Sequence, residues 1–295
     1  MTSFSGVVPA TITPFDLAGR FNEHSFRVIM ESNIGAGVDG FWVSGGTGES
    51  VLLTENEIIK MAEISAEMCK GRAAAMIHIG SLTTDSSARM AKAAADAGAA
   101  AICCVPPFFY KPSEKAIIDH YRIVADAAGD LPFFVYNQPK YTGVEFDARM
   151  LGRIKEAVPQ IAGVKHSAPD FSDIRRFSEL GIDTFTGHGS LFLPTLAAGG
   201  AGVVDGPLIA FPEIWVGIYE AYKSGDMARA QELQGKGNIL VDLAAKYGMQ
   251  SFCKVLCEER YGVECGNPRM PIPSLTVESK KHLIGEVKSY GFTVS

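Results

Sequence analysis

Ile161-Ala162-Gly163-Val164-Lys165-His166-Ser167-Ala168-Pro169-Asp170 opens with four apolar or small residues, the composition of a strand buried on both faces of a parallel sheet, and then places a lysine just before a polar, proline-containing segment. A lysine in that position needs a cause. Carrying an ammonium out of water costs several kcal/mol unless the group is paired or gives up its proton. A lysine that has given it up is a nucleophilic amine, the form that Schiff-base chemistry uses. By itself the stretch is equally consistent with a side chain that snorkels from a strand end or pairs with a carboxylate.

Outward from this strand the chain alternates in both directions. β-prone or apolar runs cover 6–13, 40–44, 74–79, 100–105, 133–136, 161–165, 184–186 and 202–204, and helical patterns fill the intervals between them. Thr54 with Glu57 three residues on is a capping-box pattern, Gly98 and Gly129 close two further helices, and Pro106-Pro107 stops the fourth strand. Eight strand-then-helix units predict an α/β protein, a (β/α)8 TIM barrel rather than an open doubly wound sheet. Ser44-Gly45-Gly46-Thr47-Gly48-Glu49 follows a strand but has neither GxGxxG spacing nor the lysine of a P-loop. From Gly225 the strands cease, and three helical segments (226–246, 249–261, 276–290) form a C-terminal three-helix extension. With no linker between them, the barrel (1–224) and the extension (225–295) are expected to make one structural unit.

Composition narrows the function. The 295 residues are 47% apolar and 20% charged, ordinary for a globular chain with a large core. No stretch approaches the ~18 uninterrupted apolar residues of a membrane span. Met1-Thr2-Ser3-Phe4 has neither a basic n-region nor an apolar h-region, so no export is expected. With 27 basic against 33 acidic residues, a net charge of −6 and no basic block, nucleic acid is not an expected partner. Cys69, Cys103, Cys104, Cys253, Cys257 and Cys265 include no CxxC pair, and the six histidines show no ligand spacing. A reduced, cytoplasmic protein without metal is the expectation.

A barrel places its chemistry at the C-terminal ends of its strands. Those ends offer Gly45-Gly46-Thr47 after the second, Pro106 to Tyr110 after the fourth, and Tyr136-Asn137-Gln138-Pro139 after the fifth. Lys165-His166 ends the sixth, Gly187 to Ser190 follows the seventh and Asp205-Gly206-Pro207 the eighth. Neighbouring strands lie about 4.8 Å apart, so inward side chains at matching heights on strands five and six meet around one small ligand. A phenol at Tyr136 beside an amine at Lys165 suits iminium chemistry, with the tyrosine moving protons as a carbinolamine loses water. Taken alone, Tyr136 also reads as a core aromatic with a bonded hydroxyl.

Three motifs in order, Gly45-Gly46-Thr47-Gly48-Glu49, Tyr136-Asn137-Gln138-Pro139 and Gly163-Val164-Lys165, resemble the GxTGE, YNxP and GxK motifs of the dihydrodipicolinate synthase and N-acetylneuraminate lyase family of pyruvate-type class I aldolases. The resemblance extends over essentially the whole chain. It implies that Lys165 forms a Schiff base with the C2 carbonyl of pyruvate or another 2-oxo acid and that Tyr136 transfers protons. It implies too that Thr47 and Gly46 hold the carboxylate, that the Val204 carbonyl lies by the substrate, and that neither metal nor cofactor takes part. A homotetramer or homodimer is the assembly it suggests.

Departures from the pattern bear on specificity. Tyr141 stands where dihydrodipicolinate synthases carry an arginine, Gly46 where they carry a hydroxyl residue, and Phe109, followed by Tyr110, where a neighbouring subunit supplies a tyrosine. Tyr141, His188 and Asp205 offer another polar lining for a second substrate, or are solvent-facing loop residues. The expected activity is a lyase that cleaves, condenses or dehydrates a 2-oxo acid such as a 2-keto-3-deoxy sugar acid, partnered by a small aldehyde. The alternatives are a true dihydrodipicolinate synthase and a non-catalytic member that only binds 2-oxo acids.

Overall fold

The structure is a computed structural model that describes residues 3–294. Met1 and Thr2, on which the expectation about export partly rests, lie outside the described residues, as does Ser295. Eight parallel strands, β1 (Gly6–Val7), β2 (Gly40–Val43), β3 (Ala74–His78), β4 (Ala101–Cys104), β5 (Phe133–Asn137), β6 (Ile161–His166), β7 (Asp183–Thr186) and β8 (Gly202–Val203), make one sheet. Its hydrogen-bonded order is β1-β8-β7-β6-β5-β4-β3-β2. The remaining seam, between β1 and β2, is joined by Asp39 N to Val7 O at 2.9 Å and by Trp42 N to Pro9 O and Thr11 N to Trp42 O at 3.0 Å each. The sheet is therefore a barrel, as eight units predict.

The first strand is shorter than its apolar run suggests. Beyond Val7, Val8 N and Ala10 N still reach Val203 O and Asp205 O at 3.0 Å, while Pro9 between them faces β2, where it accepts from Trp42 N and has no N–H to donate.

Helices α1 (Glu23–Gly35), α2 (Glu55–Cys69), α3 (Thr84–Asp96), α4 (Glu114–Ala128), the single turn α5 (Pro139–Thr142), α6 (Ala148–Ala157), α7 (Ser172–Ser178), α8 (Phe192–Ala197) and α9 (Pro212–Ser224) surround the strands. The capping box of α2 is formed: the Thr54 side chain accepts from Glu57 N, and the Glu57 carboxylate accepts from Thr54 N at 2.8 Å. α5 is absent from the helices read in the sequence, because its four residues are too few to show a period.

Two apolar layers result. Outward side chains such as Phe41, Ile77, Ile102 and Phe133 pack under the helices, while Trp42, Met76, Cys103, Phe134, Tyr136 and Phe185 fill the barrel itself. After α9, α10 (Met227–Tyr247) packs on α9, α11 (Met249–Tyr261) packs on α1 and on the one-turn 3-10 helix Pro207–Ile209 after β8, and α12 (Val277–Ser289) packs on α10 and α11. The extension thus reaches the end of the barrel where the strands finish.

Candidate active site

β5 and β6 do not pair in one continuous register. Phe133 lies opposite Ile161 but Phe134 lies opposite Gly163, which leaves Ala162 as an extra residue. One inserted residue turns every later side chain to the other face of the sheet. An unbulged continuation from Phe133 would set Tyr136 beside Val164 and turn Lys165 toward the helices. With the bulge, Tyr136 stands directly opposite Lys165.

Both side chains are nearly buried, Tyr136 at 6% exposure and Lys165 at 4%. The Lys165 Nζ is 4.4 Å from the centre of the Tyr136 ring and 5.0 Å from that of Trp42, and the two rings meet edge to face at 5.4 Å. Among the described residues no carboxylate lies within salt-bridge distance of Lys165, although the buried Asp205 feels its charge. Burial argues against snorkelling and the missing carboxylate against a salt bridge, so the amine's role has to come from the chemistry around it.

The Gly-rich loop after β2 closes over this group. A Cβ on Gly45 would lie 2.6 Å from the Trp42 ring and one on Gly48 2.9 Å from Thr11 O, so both glycines are required by close approach. The Thr13 hydroxyl donates to Gly48 O at 2.7 Å. Gly46 is different: its Cβ position is open, with only the Tyr136 hydroxyl near, at 3.9 Å. Among the described residues neither Gly46 N nor Thr47 N donates a hydrogen bond, although Thr47 is buried. Two unpaired N–H groups in a tight turn form a nest for an anion such as a carboxylate.

Asp205 follows β8, with one oxygen accepting from Gly189 N at 2.7 Å and the other from Gly206 N at 2.8 Å. Burial pushes its carboxyl above the usual carboxylate range, while those two N–H groups and the charge of Lys165 pull the other way. Its neighbour Gly206 packs against the nest, since a Cβ there would meet the Thr47 hydroxyl at 3.0 Å. Val204 is fully buried inside the barrel beside these residues. His188 is exposed, at the start of the β7–α8 turn.

A cavity of about 450 Å³ opens beside Tyr136, walled by Gly46, His78, Gln138, Tyr141, Thr142 and Gln250 with Val105, Phe108 and Ile272. Of the residues singled out in the sequence, Tyr136, Gly46 and Tyr141 lie on this wall. Lys165, Thr47, Val204, Asp205 and His188 do not. Tyr141 is a rim residue, largely exposed on α5. Lys140, its neighbour, is absent from the wall and stands 5.7 Å above the Tyr141 ring.

The sequence reading passed over His78 and Gln250. His78 is the last residue of β3, and its ring meets Tyr136 edge to face at 5.8 Å. Its Nδ1 is 3.2 Å from Ser44 O, which can only accept, so Nδ1 holds the proton and Nε2 is a bare, buried acceptor without a partner among the described residues. Burial, followed by the charge of Lys165, pushes this imidazole down to about 4. A histidine at a strand's C-terminal end was the available signal. Gln250 offers none, because it comes from α11, more than two hundred residues from the loop it touches.

On the chemistry of its parts, the site holds an amine, a phenol and an anion nest at the edge of a cavity whose wall mixes polar and apolar side chains. A family model described as the dihydrodipicolinate synthetase family matches residues 3–289. N-acetylneuraminate lyase of Citrobacter koseri is 32% identical over 246 residues, covering 83% of this chain and 82% of that protein. Among solved structures, the Clostridium difficile protein CdNal in complex with mannosamine is 29% identical, with a TM-score of 0.91 over 98% of this chain and all of that one. The sialic acid aldolase of Ruminococcus gnavus, 24% identical, superposes with a TM-score of 0.93 over 98% of this chain and 97% of that one, a likeness of fold.

Proposed function

We propose, for a chain that belongs to the dihydrodipicolinate synthetase family, that Lys165 and Tyr136 cleave a 2-keto-3-deoxy sugar acid into pyruvate and an aldehyde. The enzyme is a lyase of the pyruvate-dependent class I aldolase type, working through a Schiff base on lysine. In this reading the Lys165 amine attacks the C2 carbonyl, the carbinolamine loses water, and the iminium draws the electron pair of the C3–C4 bond as it breaks, leaving an enamine and a free aldehyde. Tyr136 accepts and returns the protons. The N–H groups of Gly46 and Thr47 take the carboxylate, beside the Val204 carbonyl, and the hydroxylated remainder of the substrate extends into the cavity. A volume of about 450 Å³ suits such a chain.

The observation that carries this reading is the opposition of Tyr136 and Lys165 across the bulged ladder, next to unpaired N–H groups. The cavity also bears on the acceptor. Its wall includes no Arg or Lys among the described residues; its polar side chains are neutral except for Glu49, and they stand among apolar ones such as Val105, Phe108 and Ile272. A charged grip on a second carboxylate, worth about 1.5–3 kcal/mol per hydrogen bond, is missing there. A polyhydroxylated aldehyde therefore fits better than aspartate semialdehyde, the substrate of the dihydrodipicolinate synthase alternative.

We read the exposed, edge-packed Phe109 and Tyr110 at the barrel mouth as meeting a second copy in a homodimer or homotetramer. The six buried thiols suit a reducing compartment such as the cytoplasm. Among the described residues no helix is long and apolar enough to cross a membrane.

The test is pyruvate with borohydride, followed by peptide mass mapping. A reduced adduct on Lys165, absent from Lys165→Ala, is expected. An adduct elsewhere, or none at saturating pyruvate, refutes the role of Lys165. A panel of 2-keto-3-deoxy acids assayed for released pyruvate then identifies the aldehyde portion, and turnover of aspartate semialdehyde should be negligible beside the best of them.

A further inference from the structure

We infer that Gln250 is a positioning residue, whose carboxamide on the Gly46 carbonyl turns the Gly46–Thr47 peptide so that its N–H faces the substrate's carboxylate. The inference rests on the reading of that loop as the carboxylate nest. α11 brings two side chains one helical turn apart to the same loop. Gln250 Nε2 donates to Gly46 O at 3.1 Å, and four residues on, Lys254 Nζ pairs with Glu49 Oε1 at 2.9 Å.

The Gly46 carbonyl also accepts from Glu49 N at 3.2 Å, so two donors hold it from the outer side. A trans peptide is planar, with its C=O and N–H pointing in opposite directions. Fixing the Gly46 carbonyl outward therefore fixes Thr47 N–H toward the barrel. Without that clamp the unit turns readily, because Gly46 has no side chain and stands in open space. A turned peptide would aim a carbonyl oxygen, not a donor, at an incoming anion.

The other end of the loop is held separately. Glu49 sits in the left-handed region at φ 68° and its Oε2 accepts from Arg269 N at 2.7 Å, while Lys254 also donates to Asn267 O at 3.2 Å. The Lys254–Glu49 pair is fully buried and anchors the loop's position. Gln250 is half-buried at the cavity edge and governs one peptide's direction, so its removal leaves the fold in place.

The experiment compares pyruvate with pyruvamide, its neutral carboxamide, as the 2-oxo compound in borohydride trapping of Lys165. For the parent enzyme, half-saturation should occur at a lower concentration of pyruvate. Gln250→Met removes the donor at similar length. It should raise the half-saturating pyruvate concentration roughly tenfold, the worth of one hydrogen bond at the upper end of its usual range. The rate at saturation should stay within about twofold, the pyruvamide value should be unchanged, and the melting temperature should hold. Gln250→Asn, one methylene shorter and unable to span the gap, should behave in the same way. If both variants keep the parent's preference for pyruvate, Gln250 does not orient the peptide, and the carboxylate reading survives. If the parent itself shows no preference for pyruvate, the carboxylate reading fails and takes this inference with it.

Discussion

Tyr136 is the residue at which mechanism and packing are easiest to confuse, because its ring is part of the barrel filling while its hydroxyl borders the cavity. Tyr136→Phe keeps the ring and its contacts with Trp42 and Lys165 and removes only the oxygen. The expected outcome is kcat lower by roughly 10²–10⁴-fold with a smaller change in KM, measured on a cleaved substrate, and an unaltered melting temperature. A near-normal kcat would make Tyr136 a core aromatic. Lys165 and Tyr136 were legible in sequence because a charged and a phenolic residue each end a run that otherwise reads as buried strand. His78 was not, although it ends β3, because a histidine among apolar neighbours reads as core. Its unpartnered Nε2 emerges only once Ser44 O is seen to fix the tautomer.

At the scale of elements, strand order and helix bounds follow from periodicity and punctuation, and the capped helix after Thr54 falls where its motif places it. The bulge at Ala162 does not. Every residue of 161–164 is small or apolar, so the pattern carries no mark of which one is extra, and yet that one residue brings Lys165 to Tyr136. The attachment of α11 to the Gly-rich loop was equally hidden, since it joins residues remote in sequence. Its buried anchor gives a prediction. Lys254→Met leaves the Glu49 carboxylate without its cation and should destabilise the protein by about 3–5 kcal/mol, seen as a lower denaturant midpoint. Glu49→Gln combined with Lys254→Met removes the stranded charge and should recover a large part of that loss. If the double variant is no better than the single one, the pair is not the anchor described here.

For the whole molecule, buried imidazoles set a pH dependence. Burial pushes His120, bonded to the Thr84 hydroxyl at 2.9 Å, down to about 4, as it does His78 together with the charge of Lys165. A histidine unfolds to an ordinary value near 6.5, so below that pH the unfolded chain binds protons that the folded chain refuses. Stability is therefore fully present above about 6.5 and lost as pH falls toward 4, by on the order of 2–3 kcal/mol for each of the two groups by pH 4.5. Urea titrations at pH 7 and 4.5 should show this fall, and His120→Gln should reduce it; an unchanged midpoint would contradict both assignments. The attachment of α11 also has a consequence in time. The loop at 45–49 leaves the ribosome early, and its clamp at 250–254 follows after some two hundred residues, about 10–40 s later at the usual 5–20 residues per second. A nascent chain that has laid down all eight strands still lacks Gln250 and Lys254, so the Gly-rich loop waits for both of these tethers until α11 has been made.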